Sequence, residues 1–128
     1  MSATNPNPAA SDRAPITRLH VGPRMSEAAC AGGLCFLAGQ VAEDPSQDTA
    51  GQTRQVLVAI DRLLAEAGSA RDRLLSATIY LRDMADFQEM NSVWDTWVVA
   101  GSTPARATVQ AAMARPEYRV EIQVVAAR

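Results

Sequence analysis

From residue 51 onward the hydrophobic period of the chain switches between helix and strand, and that alternation leaves few topologies open. Val56, Leu57, Ile60, Leu63, Leu64 and Ala67 make one helical stripe over residues 51–67, which Gly68 closes. Residues 74–81 then alternate, with Leu75, Ala77, Ile79 and Leu81 set against Ser76, Thr78 and Tyr80, as a half-buried strand requires. Asp86 opens a second helix, with Glu89 at capping-box spacing, a stripe of Phe87, Met90, Trp94, Trp97 and Val98, and Gly101 beyond its end. Residues 105–111 and 119–126 read as two more strands around a loop containing Pro116. Ahead of these, residues 17–21 form a short strand, and 27–31 and 34–38 flank Gly32-Gly33, a hairpin signal because primed turns need positive φ.

The order is β-β-β-α-β-α-β-β. Right-handed crossovers set both helices on one face of a mixed sheet, which is an α+β architecture. The other face would present Thr78, Tyr80, Thr108, Gln110, Gln123 and Val125. That mixture suits neither plain solvent nor a core, so a closed cyclic homo-oligomer covering this face is expected. The two tryptophans on one helical stripe read as packing, because each buries a large area. Asn91 on the same stripe must find hydrogen bonds, either as a structural clamp or as a site residue, and composition favours the clamp.

At 128 residues, 48% of them hydrophobic, the chain supports one domain with a real core. Residues 1–15, rich in Asn, Pro, Ala and Ser, read as a flexible tail without the apolar stretch of a secretion signal, leaving 16–128 as the domain. Net charge is −2, and all 12 basic residues are arginines scattered without a basic run, which argues against a nucleic-acid partner. No stretch reaches the roughly 20 apolar residues of a membrane span, so a soluble protein without a membrane partner is expected. With His20 as the one histidine, Cys30 and Cys35 cannot complete a four-ligand zinc cluster of Cys and His. Both read as reduced, buried thiols of a cytoplasmic protein. His20 has no acidic partner evident, which leaves it a surface or packing residue. No phosphate loop, nucleotide fingerprint, metal-ligand helix or nucleophile elbow occurs, and no cofactor or metal is called for.

The chemistry concentrates in Pro104-Ala105-Arg106-Ala107-Thr108-Val109-Gln110 and Val120-Glu121-Ile122. Strand alternation puts Arg106, Thr108 and Gln110 on one side of the first segment, and Glu121 and Gln123 on one side of the second. If the strands are neighbours, Arg106 and Glu121 could meet on one polar sheet surface. On the residues alone, an ion pair that only joins strands is the simpler account of such a meeting.

These segments, with Phe36-Leu37-Ala38-Gly39-Gln40, Gln52-Thr53-Arg54-Gln55-Val56-Leu57, Ala67-Gly68-Ser69, Asp86-Phe87 and Met90-Asn91, resemble the RidA (YjgF) family of imine and enamine deaminases over about residues 17–128. The run from Trp94 to Gly101 and the ending Val124-Val125-Ala126-Ala127 look nearest the YoaB-like branch. The resemblance implies a chorismate-mutase-like fold, a homotrimer, and a site in each cleft between neighbours. It implies a hydrolase similar to 2-iminobutanoate/2-iminopropanoate deaminases, acting on a small imino acid without metal or cofactor. In that reading Arg106 holds the substrate carboxylate through paired charge-assisted hydrogen bonds, and Glu121 positions or activates water. Thr108, Asn91 and Gly39 match positions lining the family cleft. Thr108 stands where many members have cysteine. Met25, in Gly22-Pro23-Arg24-Met25-Ser26, stands where the cleft tyrosine is usual, and a methionine fills space without donating a hydrogen bond. The preferred imine side chain is left open. The alternative is a trimeric protein that binds a small carboxylate or a partner without turnover.

Overall fold

Gly32 and Gly33 take φ of +58° and +80°, the backbone that a tight primed turn needs, and so join strands β2 (Ser26–Ala31) and β3 (Leu34–Leu37) in register. The computed structural model describes residues 13–128; the expected tail over 1–15 lies outside the described residues except for its last three. Strand β1 (Thr17–Val21) pairs antiparallel with β2. Helix α1 (Thr49–Glu66) follows, then β4 (Leu74–Leu81), α2 (Phe87–Trp97), β5 (Ala105–Gln110) and β6 (Val120–Ala127). The elements are those read from the sequence, with ends moved by one or two residues.

The six strands form one mixed sheet in the order β1-β2-β3-β6-β4-β5. The last strand in the chain thus returns to the middle, antiparallel to both β3 and β4, while β5 runs parallel to β4 at the edge. The reason lies in its composition, since Val120, Ile122, Val124 and Ala126 are all at most 1% exposed. A strand with so apolar a face is stabilised most where neighbours flank it on both sides. One core joins this face to Ala77, Ile79 and Leu81 of β4 and to the stripes of α1 and α2. Trp94 and Trp97 belong to that core, their rings 5.4 Å apart, as the packing reading expected.

Helix α1 starts two residues earlier than its hydrophobic stripe suggests because Asp48 caps it, accepting a hydrogen bond from the Gly51 amide at 2.8 Å. Three local expectations fail. The pairing of β4 with β6 shifts register between Leu74 and Ser76, so Leu74 is buried and Leu75, expected on the buried side, is exposed. The capping box of α2 does not form, for Asp86 makes no side-chain cap bond, and the Glu89 carboxylate instead accepts from the Ala50 amide in the first turn of α1 at 2.8 Å. His20 does have an acidic partner, with Nε2 2.6 Å from Glu66 Oε2 in an exposed pair.

Gln52 fastens α1 to the approach of β6. It is fully buried; its Nε2 donates to the carbonyls of Pro45, Gln47 and Glu117, and its Oε1 accepts from the Arg119 amide at 2.9 Å. A buried amide with every strong partner satisfied holds the strand start rigidly. Two residues beyond Arg119 stands Glu121.

Candidate functional site

Glu121 lies directly opposite Tyr80 in the antiparallel register of β6 and β4, on the face of the sheet away from the helices. Past the end of β3 the chain stays beside β6, where the Gln40 amide donates to the Ile122 carbonyl at 2.9 Å and the Ile122 amide donates back at 3.1 Å. This bridge holds Gly39 against the Glu121 side chain so closely that a Cβ on residue 39 would stand 2.1 Å from Oε2. Any larger residue there would push the glutamate side chain aside. The carboxylate opens into a cleft of about 360 Å³ lined by Gly39, Tyr80, Ala111, Ala112, Met113, Glu121 and Gln123. It makes no hydrogen bond or ion pair among the described residues. A half-buried carboxylate left uncommitted in a cleft is a group available to a ligand or to water.

Arg106 sits elsewhere. On the edge strand β5 it pairs with Ala77, Thr108 pairs with Ile79, and Gln110 with Leu81, all residues of the core face. Arg106, Thr108 and Gln110 therefore share the side of the sheet that carries the helices, contrary to their expected place on the bare face. The bare positions of β5 belong instead to Ala105, Ala107 and Val109, which pair with Ser76, Thr78 and Tyr80. Nη1 of Arg106 donates to Oδ1 of Asn91 at 2.9 Å, and the guanidinium stands 5.5 Å from the Trp94 ring and 5.8 Å from the Phe87 ring. Asn91, expected either as a clamp or as a site residue, holds the candidate arginine. One acceptor takes one of five N–H donors, leaving the rest free for a carboxylate. Thr108, half-buried two residues along the same side, has a buried hydroxyl oxygen with no hydrogen-bond partner.

Arg106 and Glu121 therefore do not meet within one chain. The strand β4 separates β5 from β6, and the two side chains leave opposite faces of the sheet. This corrects the shared polar surface expected from alternation, and it also removes the strand-joining ion pair. The candidate residues fall into two groups: Glu121 and Gly39 on the bare face at the central strand β6, and Arg106, Asn91 and Thr108 on the helix side at the β5 edge. Met25 belongs to neither. It is 50% exposed in the turn between β1 and β2, where its carbonyl accepts from the Gly22 amide.

Sequence reasoning placed Tyr80 on the bare face without reading it as a cleft residue, and it missed Ala111, Ala112 and Met113. For Tyr80 the available signal was its parity with Glu121 across paired strands. For the three loop residues, which are small or apolar, no signal existed. Cys30 and Cys35 are free and buried, directly opposite each other across the hairpin. Burial, followed by the hydrogen bond that its S–H makes to Cys30, pushes the Cys35 thiol up to about 11, which keeps it protonated and inert near neutrality. Among the described residues no group of three or more His, Cys, Asp or Glu is placed to hold a metal ion, and no helix is long and apolar enough to cross a membrane.

The family described as endoribonuclease L-PSP matches residues 16–128. A RutC family protein of Haemophilus ducreyi is 46% identical over 112 residues, covering 88% of this chain and 96% of that protein. The RutC family protein YoaB of Escherichia coli K12 is 42% identical, covering 88% and 97%. Among solved structures, a YjgF family protein of Neisseria meningitidis superposes with a TM-score of 0.87 at 54% identity, covering 89% of this chain and 95% of that one.

Proposed function

We propose, from the premise that this chain belongs to the RidA (YjgF, RutC) family described as endoribonuclease L-PSP, that it is a hydrolytic deaminase of reactive 2-imino acids and their enamine tautomers. The products are a 2-keto acid and ammonia. The observation that carries this reading is the uncommitted Glu121 carboxylate pressed over Gly39 in its cleft.

In a cyclic homotrimer of a cytoplasmic protein, the edge strand β5 of one copy lies against the bare sheet face of the next. Arg106 of one protomer then completes the cleft that holds Glu121 of its neighbour. The bare face favours such a cover, because Phe36 and Val109 on it are 50% and 43% exposed. Arg106, steadied by Asn91 and the two rings, binds the substrate carboxylate, with the Thr108 hydroxyl beside it. Glu121 accepts a proton from the water that attacks the imine carbon, and the carbinolamine collapses to the keto acid. Imines hydrolyse in water unaided, so orientation plus a base worth about 10²- to 10⁴-fold suffices without metal or cofactor. The lining of the cleft within one chain includes a carboxylate and no cation, so the substrate carboxylate depends on the Arg106 that the neighbour brings.

The test generates imino acids in place with an amino-acid oxidase and follows the surviving imine by semicarbazide capture. Wild type should outpace the uncatalysed loss, and Arg106→Ala and Glu121→Gln should not. Ligand binding without acceleration across small, branched and aromatic imines would leave a carboxylate-binding protein as the better account.

A further inference from the structure

Tyr80 shares the Glu121 cleft, and nothing described so far uses it. It faces Glu121 directly across paired antiparallel strands, where Cβ atoms lie roughly 4.5–5.5 Å apart. It is half-buried, and its hydroxyl has no hydrogen-bond partner among the described residues. No side chain among the described residues therefore competes with a ligand for that hydroxyl. Tyr80 lines the same cleft as the carboxylate.

The rest of the lining sharpens the point. Gly39, Ala111, Ala112 and Met113 have no side-chain group able to donate a proton, and the Gln123 amide can donate a hydrogen bond without giving its proton up. Addition of water to a neutral imine needs two proton movements. As water adds to carbon, a base must take a proton from it while the imine nitrogen receives one. A single carboxylate cannot do both in the same step.

We propose that Tyr80 is the general acid that works opposite Glu121, an assignment that rests on the deaminase reading above. In the addition step the new C–O bond forms from water, whose proton goes to the Glu121 carboxylate. The C=N π pair moves to nitrogen, which takes the Tyr80 hydroxyl proton. In the collapse step the protonated Glu121 returns a proton to nitrogen, the C–N bond breaks, and ammonia leaves. The tyrosinate takes the proton from the carbinol oxygen as C=O forms. Imine and water give ketone and ammonia, and both side chains regain their starting state. No oxidant, metal or second reactant enters.

The test is Tyr80→Phe, which keeps the ring and removes the proton, assayed beside wild type and Glu121→Gln. The rate for Tyr80→Phe should fall about a hundredfold or more in kcat with KM nearly unchanged. Weak buffer acids such as imidazolium should restore that rate in proportion to their concentration and leave wild type unaffected, a response that a packing role would not give. Unchanged mass and thermal midpoint would confirm that the assembly survives. Wild-type turnover matched by Tyr80→Phe overturns the assignment of Tyr80 while sparing the deaminase reading. Absence of wild-type turnover overturns both together, so the two failures are distinguishable.

Discussion

Gly39→Ala isolates the position of one carboxylate. Residue 39 has no positive φ, so alanine is allowed by the backbone, and the added Cβ is the whole perturbation. That atom would lie 2.1 Å from Oε2, 2.9 Å from Cδ and 3.2 Å from Cγ of Glu121, whereas ordinary contact begins at 3.4 Å. Something must retreat by more than 1 Å. The backbone at 39–40 is tied by two hydrogen bonds to Ile122, so the flexible end of the glutamate yields first. A misplacement of ~1 Å at a reacting group costs on the order of 10²-fold, equivalent to ~2.7 kcal/mol of transition-state stabilisation. The oxidase-coupled imine assay should therefore show kcat/KM falling about a hundredfold, while affinity for an unreactive 2-keto acid, the ligand proposed for Arg106, changes little. Adding Glu121→Gln to Gly39→Ala should cost little more, because the first change has already spoiled the second group. A folded Gly39→Ala protein with wild-type kcat/KM would refute the claim that this carboxylate acts from where it stands.

Other consequences can be checked by simpler measurements. Gln52→Leu strands the Arg119 amide and three carbonyls, and should lower unfolding free energy by about 3 kcal/mol or more in a urea titration; a loss below ~1 kcal/mol would mean that water replaces those bonds. Thr108→Val removes a buried hydroxyl without a partner and should raise stability by about 1 kcal/mol by calorimetry. A loss of similar size would show that the oxygen is hydrogen-bonded in the assembled protein. Cys35 should resist iodoacetamide at pH 8 until the chain is unfolded. Its raised folded value, about 11, also means that unfolded chains ionise first as pH climbs past the ordinary thiol range, so stability present below that range should drain away toward pH 11. Rapid labelling of the folded chain would contradict the burial.

The helices were legible because Val56, Ile60 and Leu63, and likewise Met90 and Trp94, repeat at a spacing that only one helical face explains. The strands were legible by their alternation, except at Leu75, where a register shift against β6 reverses the parity that the local pattern implies. Asp86 and Glu89 have capping-box spacing, yet Asp86 sits at φ −88° and ψ 4°, the end of a short 3₁₀ turn over Met84–Asp86, rather than in the extended backbone of a capping residue. Spacing alone cannot reveal that turn.

The site shows the same division. That Arg106, Thr108 and Gln110 share one side of their strand was readable. Which side faces the helices depends on register with β4, and the alanines between them looked like the packed face. On this edge strand they are exposed, and the polar side instead meets Asn91, Phe87 and Trp94 of α2. A rule based on hydrophobicity fails at a sheet edge, where neither face is fully covered. The separation of Arg106 from Glu121 by β4 was beyond local pattern altogether, because the final strand inserts into the middle of the sheet.

That separation makes the central claim testable by mixing subunits. Arg106→Ala and Glu121→Gln proteins, each inactive alone, should be unfolded together in equal amounts, refolded and assayed for imine loss. If each cleft takes its arginine and its glutamate from different protomers, random mixing leaves about one quarter of the clefts with both groups intact. The account predicts recovery of about that fraction of wild-type activity. Recovery of none, in mixed assemblies confirmed by mass, would contradict it, because both groups would then have to serve from the same chain.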